Sequence, residues 1–397
     1  MGWSASGSGS PMTKRHCGSE ASLEVTYLSM DPVTSTVGAS QVVAYIRRLA
    51  DRGVLVHLHS FEYRPDERLR LEFEEQGVQW TAHRYGKGGT LGGLSRVIRL
   101  ARSIRGAQLV HARSDMAAAA AMLARVDRWL WDVRSFWADQ KVATGVFSQR
   151  SPQARLFRRI EQEAARRSTR ILGLTASAIG ELERRYGSSV SDRAAVVTTC
   201  VDRQRFKIFP LPATGPVRLL LAGTLNRYYD VPLMIEFVRA VARRTTVELV
   251  VAAPGETSWD EELARAGATF TRVEPIEMPA LVASCHAGLS VCRDDAGVSL
   301  LAAMPTKIGE FLAVGRPVVV NAGLVDAAKM LRERATGTVL GAGVGVDEAA
   351  EHLLGLLADE ETGIRAAGLA ADHFDLDDGV DVLAKVYRDL WERKQRV

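Results

Sequence analysis

Short apolar runs alternate with amphipathic stretches from Leu23 to the end of the chain. This alternation is typical of repeated β–α units, in which helices cover both faces of a parallel sheet. The runs form two series: predicted strands at 24–29, 54–59, 108–111, 129–133, 170–174 and 195–197, then at 217–221, 247–252, 287–292 and 317–320. The pattern predicts an α/β protein with two Rossmann-like, doubly wound domains.

The domain boundaries follow from a proline-rich stretch between the two series. Residues 206–216 contain three prolines and end in Gly-Pro, which breaks any regular element. We predict a first domain over 23–206, a linker over 207–216 and a second domain over 217–375. The remainder, 376–397, has helical apolar spacing and is expected to pack back on the first domain as a helix. Two such domains place the carboxyl ends of their strands on either side of a cleft.

The N-terminal segment 1–22 is rich in Gly and Ser, which predicts a disordered leader. Met12 is a possible native start, so whether residues 1–11 are native stays open. This opening lacks the apolar core of a secretory signal, and no run of 18 apolar residues follows, which favours a cytoplasmic location.

Composition narrows the class of protein further. With 397 residues, 47% hydrophobic and 25% charged, the chain matches ordinary soluble proteins, and a net charge of +4 does not favour nucleic acid as the main partner. The four cysteines, Cys17, Cys200, Cys285 and Cys292, are far apart and form no C-x-x-C pair. We therefore expect neither a disulfide framework nor a metal site, and no bound cofactor.

The segment that leads into the last predicted strand carries the clearest candidate chemistry. It predicts a short helix that begins at Pro305 and Thr306 and is capped by Gly315. Lys307 lies in the first turn, where free N–H groups and the helix dipole favour a phosphate. Glu310, one turn further on, can accept from two ribose hydroxyls. The segment therefore predicts a nucleotide site, although a surface Lys–Glu pair explains the same spacing.

Several motifs occur together in one order along the chain. The sequence PTKIGEFLAVGRPVVVN follows an opening strand of the second domain, and the first domain supplies a β–α loop, an HARS…WDVRSFWAD pair and a terminal TTCVDRQRF; the stretches are 28–43, 111–114, 131–139, 198–206 and 305–321. From about Leu23 onward the chain resembles the retaining glycosyltransferases of family 4, which have the GT-B fold. The resemblance implies a metal-independent hexosyltransferase that moves sugar from a UDP- or GDP-linked donor to a small-molecule, glycan or lipid-linked acceptor.

The resemblance assigns donor-binding roles residue by residue. Glu310 would hold the ribose, with Pro305 and Thr306 beside it, while Gly223 and Thr224 would approach the diphosphate. The family's loop Arg and Lys are missing here, so Arg227 and Lys307 become the candidates that neutralise the leaving diphosphate. Val273 stands where relatives hold the base through their backbone. Ala302 replaces the family's first Glu, which leaves the transferred sugar undefined.

The first domain offers candidates for the sugar and the acceptor. Arg134 stands where many relatives have a catalytic His; it could bond sugar hydroxyls or a donor phosphate, or pair with a neighbouring carboxylate. Trp137 and Asp139 are candidates for sugar or acceptor contact, although Trp137 equally suits the core. Gly38 and Ser40 precede a helix expected near residue 41, so their N–H groups could face the substrates, or Ser40 could simply cap that helix.

Two further stretches and two rival functions stay open. The Arg-rich helix 149–168 suits weak contact with an anionic membrane or an ordinary solvated face, and the Gly-rich stretch 85–93 suits an acceptor loop. The rivals are a nucleotide-sugar epimerase or nicotinamide-dependent oxidoreductase, and a non-catalytic module that binds a nucleotide sugar. The Arg- and Ala-rich composition suits bacterial biosynthesis of envelope or secondary metabolites. The oligomeric state is unreadable from sequence.

Overall fold

The computed structural model describes residues 23–86 and 88–392, so the leader predicted over 1–22 lies outside the described residues. The first sheet has seven parallel strands in the order β3-β2-β1-β4-β5-β6-β7. They are β1 Glu24–Ser29, β2 Leu55–Glu62, β3 Gln79–Arg84, β4 Val110–Arg113, β5 Trp129–Val133, β6 Arg170–Gly173 and β7 Ala194–Val196. The reversal of order at β1 and β4 is the doubly wound topology, which opens a crevice at the carboxyl ends of these strands.

The second sheet has six parallel strands in the order β10-β9-β8-β11-β12-β13. They are β8 Val217–Ala222, β9 Val247–Ala252, β10 Thr269–Thr271, β11 Ala287–Ser290, β12 Val318–Asn321 and β13 Gly337–Leu340. Strands β3, β10 and β13 were absent from the predicted series. Each lies at an edge of its sheet and is either polar or only three or four residues long, so none gives a clear apolar run.

Helices cover both sheets. Helix α1 comprises a first turn, Thr36–Gly38, a π-helical segment, Ala39–Val43, and a regular part, Ala44–Asp51. The others are α2 Glu67–Glu75, α3 Gly89–Ser103, α4 Asp115–Ala124, α5 Trp137–Ala143, α6 Pro152–Arg167, α7 Ala176–Tyr186, α8 Val231–Ala242, α9 Asp260–Arg265, α10 Met278–Ala283, α11 Thr306–Ala313, α12 Val325–Arg334, α13 Val346–Ala358, α14 Thr362–Phe374 and α15 Leu376–Glu392, with 3₁₀ segments Ser188–Arg193 and Asp294–Ala302. The predicted α/β fold with two doubly wound domains is confirmed.

The last helix, α15, belongs to the core of the first domain. Its buried face, which includes Val380, Leu383 and Leu390, packs in one apolar cluster with residues of β1, β2 and α1. At the surface, Arg52 pairs with two aspartates at the start of α15. The chain therefore crosses from the second domain back to the first.

Direct contacts join the two domains beside the 3₁₀ segment. Ala302 is fully buried in an apolar cluster of the first domain, and the Thr199 hydroxyl donates to the carbonyl of Met304 at 2.9 Å. Asp326 at the start of α12 accepts from the backbone N–H groups of Ala176 and Ser177 at the start of α7. These contacts fix α11, which begins two residues after Met304, against the first domain.

Every helix in the described part of the chain is too short or too polar to span a bilayer.

Candidate active site

Lys307 lies in the first turn of helix α11 in the second domain. Pro305 caps the helix without a side-chain hydrogen bond, and Gly315, with a φ of +82°, ends its last turn in the left-handed region. The Lys307 side chain is only 9% exposed, and its Nζ lies 4.1 Å from the centre of the Tyr229 ring. The cation–π contact holds this ammonium against the loop that follows β8.

The loop after β8 runs past the same ammonium. A Cβ added to Gly223, whose φ is +93°, would come within 3.7 Å of Lys307 Nζ. Thr224 and Arg227 are exposed on this loop, while the Tyr228 hydroxyl is buried 3.2 Å from that of Ser299. A glycine is required at 223 by its backbone angle, and it leaves the space beside the lysine open to a ligand.

Burial sets the charge state of the two ionisable groups on α11. Desolvation lowers the pKa of Lys307 to about 8, although the carboxyl of Glu310 opposes this. Desolvation raises the pKa of Glu310 to about 7, against the effects of Lys307 and Arg205. Both pKa values therefore lie close to neutral pH, and a bound anion would favour the charged form of Lys307, as a hydroxyl pair would favour that of Glu310.

Two arginines of the first domain face this helix. Arg113 ends β4, and Arg134 follows β5, the next strand in the sheet. Both donate to the side-chain oxygen of Gln41, from Arg113 Nη2 at 2.7 Å and from Arg134 Nη2 at 2.8 Å. Gln41 Nε2 in turn donates to Thr306 Oγ1 at 2.8 Å. The polar ends of the two domains thus meet at the N-terminus of α11.

A buried polar network supports Arg134. Asp132 lies 3.5 Å from Arg134 Nη1 and 3.2 Å from His111 Nε2, and His111 Nδ1 lies 2.6 Å from the Tyr387 hydroxyl of α15. Burial opposes ionisation of Asp132, yet Arg134 and His111 lower its pKa to about 2. Burial lowers the pKa of His111. Arg134 therefore has the predicted carboxylate partner, and its contact with a sugar hydroxyl or donor phosphate stays a prediction.

The structure corrects the expected start of the first helix. Helix α1 begins at Thr36, and Ser35 rather than Ser40 is its cap, because the Ser35 hydroxyl accepts from the backbone N–H of Gly38 at 3.0 Å. Ser40 lies inside the helix and its hydroxyl donates to the carbonyl of Thr36 at 3.1 Å. A Cβ on Gly38 would lie 2.2 Å from the Pro32 carbonyl oxygen. Gly38 thus allows close packing of the loop on the helix, while its N–H is already used.

Trp137 and Asp139 are engaged by their own domain. The Trp137 ring lies 4.0 Å from that of Phe157 and meets Phe147 edge-on at 5.6 Å. Asp139 accepts from Arg158 at 3.2 Å and from Arg185 at 2.8 Å. These contacts suit a packing role, and a contact of either residue with sugar or acceptor stays a prediction.

The remaining predicted positions are less defined by contacts. Val273 is half-buried in the loop after β10, so its place beside a base stays a prediction, as does the role of the exposed Arg227. Helix α6 buries Ala154, Glu161 and neighbouring alanines and leaves Arg155, Leu156 and Arg159 exposed. The Gly-rich stretch begins as loop and enters α3 at Gly89, and Lys87 lies outside the described residues.

Sequence reasoning missed Gln41 and Arg113 as site residues. Arg113 lies in the HARS motif, and the residue after it, Ser114, has a φ of +86°, a conformation that costs about 1–3 kcal/mol in a non-glycine residue. Strain of this kind is concentrated at functional sites. Only the placement of Arg113 at the carboxyl end of a central strand could have identified it from sequence, and Gln41 gave no such signal.

Two doubly wound domains that face each other across a polar cleft, with the C-terminal helix returned to the first domain, define the GT-B class. Solved structures of that class cover nearly the whole chain. Sucrose-phosphate synthase from Thermosynechococcus elongatus is 14% identical with a TM-score of 0.67, over 93% of this chain and 99% of that one. HepE from Anabaena, solved with UDP and glucose, is 16% identical with a TM-score of 0.67, over 92% and 100%. WaaG, a glycosyltransferase involved in lipopolysaccharide biosynthesis, is 17% identical with a TM-score of 0.65, over 91% and 99%.

A sequence model of a protein family matches most of the first domain. The model described as Glycosyltransferase Family 4 matches residues 38–205, which span the arginines and Gln41. The comparison with curated protein sequences found no match. The predicted resemblance to family 4 is confirmed over these residues, and the matched model is that of a glycosyltransferase family, in agreement with the predicted enzyme class.

Proposed function

We propose that the protein transfers a glycosyl group from a nucleoside diphosphate sugar to an acceptor hydroxyl, with retention of anomeric configuration and without a metal. The observation that carries this is the junction across the cleft, where Gln41 joins Arg134 of the first domain to Thr306 at the N-terminus of α11, next to Lys307. Glu310, one turn along the same helix, would accept from the ribose hydroxyls. The neighbour HepE, solved with UDP and glucose, supports a nucleotide-sugar donor.

The transfer reaction mainly needs positive charge near the leaving phosphate. The bond between the anomeric carbon and the β-phosphate oxygen breaks, and negative charge grows on that oxygen. Lys307 and the first N–H groups of α11 would stabilise this charge, and Arg227 could swing in from the loop after β8. The acceptor oxygen would attack from the face that the phosphate leaves, and the departing phosphate would take the acceptor's proton.

The acceptor and its surroundings are less constrained. We propose that a small-molecule, glycan or lipid-linked acceptor binds mainly to the first domain, in a bacterial biosynthetic pathway in the cytoplasm. The exposed arginines of α6, with Leu156 51% exposed among them, support weak contact with an anionic membrane.

Calorimetric titration with UDP, GDP, dTDP and NAD tests the donor site, with Glu310→Ala and Lys307→Ala as variants and Lys329→Ala as the control. Lys329 is an exposed lysine on α12. We expect one diphosphate to bind. Each site variant should lose about tenfold or more in affinity, because it loses one charge-assisted hydrogen bond, and about 1.4 kcal/mol of binding free energy corresponds to a tenfold change. Unchanged affinity in both variants would remove the assignment.

Turnover separates the enzyme from a non-catalytic module. An enzyme would release the nucleoside diphosphate from its sugar donor when an acceptor is supplied, or slowly to water. A protein that binds the donor but releases no diphosphate with any of a broad set of acceptors would favour the module.

A further inference from the structure

The Gln41 side chain bonds two arginines of the first domain and one threonine of the second. Its side-chain oxygen accepts from Arg113 and Arg134 at 2.7 and 2.8 Å, and its nitrogen donates to Thr306 at 2.8 Å. Thr306 is the first residue of α11, next to Lys307. One amide oxygen is thus held between two guanidinium groups, at the edge of the nucleotide site proposed above.

The guanidinium groups of Arg113 and Arg134 need a hydrogen-bond acceptor at the position of the Gln41 oxygen. Arg113 is 4% exposed, and both arginines have a carboxylate partner on another side: Asp31 lies 3.3 Å from Arg113 and Asp132 lies 3.5 Å from Arg134. The Nη2 group of each arginine points at the Gln41 oxygen, which satisfies both donors with a neutral acceptor in the free protein. The Nε–H groups of both arginines are buried without a hydrogen-bond partner among the described residues, so Gln41 satisfies only part of their donor capacity.

The local backbone places this side chain. Gln41 is the middle residue of the π-helical segment Ala39–Val43, which interrupts α1. Such segments insert an extra residue into a helical turn and are frequent at functional sites. Gln41 is half-buried, and its long unbranched side chain can leave the arginines by rotation without any movement of the helix.

We propose that Gln41 is an internal stand-in for the donor: its side-chain oxygen occupies the subsite of a donor oxygen and is displaced when the nucleoside diphosphate sugar binds. The inference rests on the proposed function. The oxygen that replaces it is an acceptor of hydrogen bonds from both arginines, either on the diphosphate or on a hydroxyl of the sugar.

Substitutions at Gln41 separate displacement from direct contact. In Gln41→Glu the carboxylate would bind the two arginines more strongly than the amide does, so it should resist displacement and weaken nucleotide binding by about tenfold or more. In Gln41→Ala the subsite is empty beforehand, so affinity should stay equal or rise by a few fold. Gln162→Glu is the matched control, because Gln162 on α6 also accepts from an arginine, Arg159, at 3.2 Å, away from the cleft.

The experiment is calorimetric titration of the full chain and the three variants with UDP and UDP-glucose, and with GDP and GDP-mannose. Ligand-free melting temperatures accompany it, and Gln41→Glu should melt at or above the wild type. Loss of affinity for both diphosphate and sugar nucleotide in Gln41→Glu assigns the oxygen to the diphosphate, and loss for the sugar nucleotide alone assigns it to the sugar.

Two results would overturn the inference while the wild type still binds a nucleotide. One is a loss of more than about threefold in Gln41→Ala, which would make Gln41 a direct contact of the donor. The other is wild-type affinity in Gln41→Glu. A wild type that binds none of the four ligands would instead overturn the proposed function, and the inference with it.

Discussion

Lys307→Met should make the protein more stable while removing a charge that donor binding needs. Burial lowers the pKa of this ammonium from 10.5 to about 8, and at about 1.4 kcal/mol for each pKa unit the buried charge costs about 3 kcal/mol. The contact with the Tyr229 ring at 4.1 Å returns about 1–2 kcal/mol that the pKa does not contain. Methionine keeps most of the stem and can pack its sulfur on the same ring, so the expected gain is about 1–2 kcal/mol.

The stability gain of Lys307→Met should depend on pH. A lysine with a lowered folded pKa destabilises the protein fully below about pH 8, and this cost is lost as the pH rises from about 8 toward 10.5. The advantage of Lys307→Met should therefore be greatest at pH 7 and smaller at pH 9.5. Urea unfolding at both pH values measures it, and at pH 7 the midpoint of thermal unfolding should rise by about 2–8 °C.

Lys329→Met is the control for the loss of one lysine, since the Lys329 side chain is 72% exposed. It should change stability by less than about 0.5 kcal/mol. If Lys307→Met unfolds at a lower urea concentration than the wild type at pH 7, the charge is better satisfied by its surroundings than burial implies, and the reasoning fails. An advantage that is the same at both pH values would also contradict it.

Three further predictions concern neighbouring parts of the site. Gly38→Ala should cost about 1–3 kcal/mol, since its Cβ would meet backbone atoms at 2.2–2.7 Å, whereas Gly180→Ala on α7 meets nothing within 4 Å and should be neutral or slightly stabilising in thermal melts. Nucleotide affinity of the wild type should fall as the pH drops through about 7, because the Glu310 carboxylate is protonated there. Glu310→Gln should bind the nucleotide more weakly and without this pH dependence. The same pH profile in the variant and the wild type would contradict this. Tyr387→Phe should lose about 1–2 kcal/mol in urea unfolding, because His111 Nδ1 loses a buried partner at 2.6 Å, and an unchanged midpoint would contradict that.

The parts of the fold that depend on residues close together in the sequence could be predicted. Most buried strands gave continuous apolar runs, and the proline and glycine around α11 predicted both its ends. The helix start near residue 36 was misplaced because two serines, Ser35 and Ser40, both suit a cap and only packing of the loop before the helix selects the first.

The polar contacts around the candidate site could not be predicted, because they join residues far apart in the sequence. Gln41 meets Arg113 across 72 residues and Thr306 across 265, and His111 meets Tyr387 across 276. A glutamine in the second turn of a helix has no periodicity or motif that distinguishes it from a surface residue. Its role depends on the packing of two domains, which local propensity does not encode.

The arrangement of charge in the cleft explains why the two domains contribute differently. Arg113 and Arg134 are each anchored by a carboxylate of their own domain, and Asp132 is held in turn by His111 and, through it, by the C-terminal helix. Anchored guanidinium groups offer fixed directions, which suits recognition of a particular oxygen. Lys307 instead lies against an aromatic ring, and burial lowers its pKa to about 8, so a bound anion would stabilise its charged form. Under the proposed function, the first domain would therefore orient the donor, and the second would respond to the charge that grows on its phosphate.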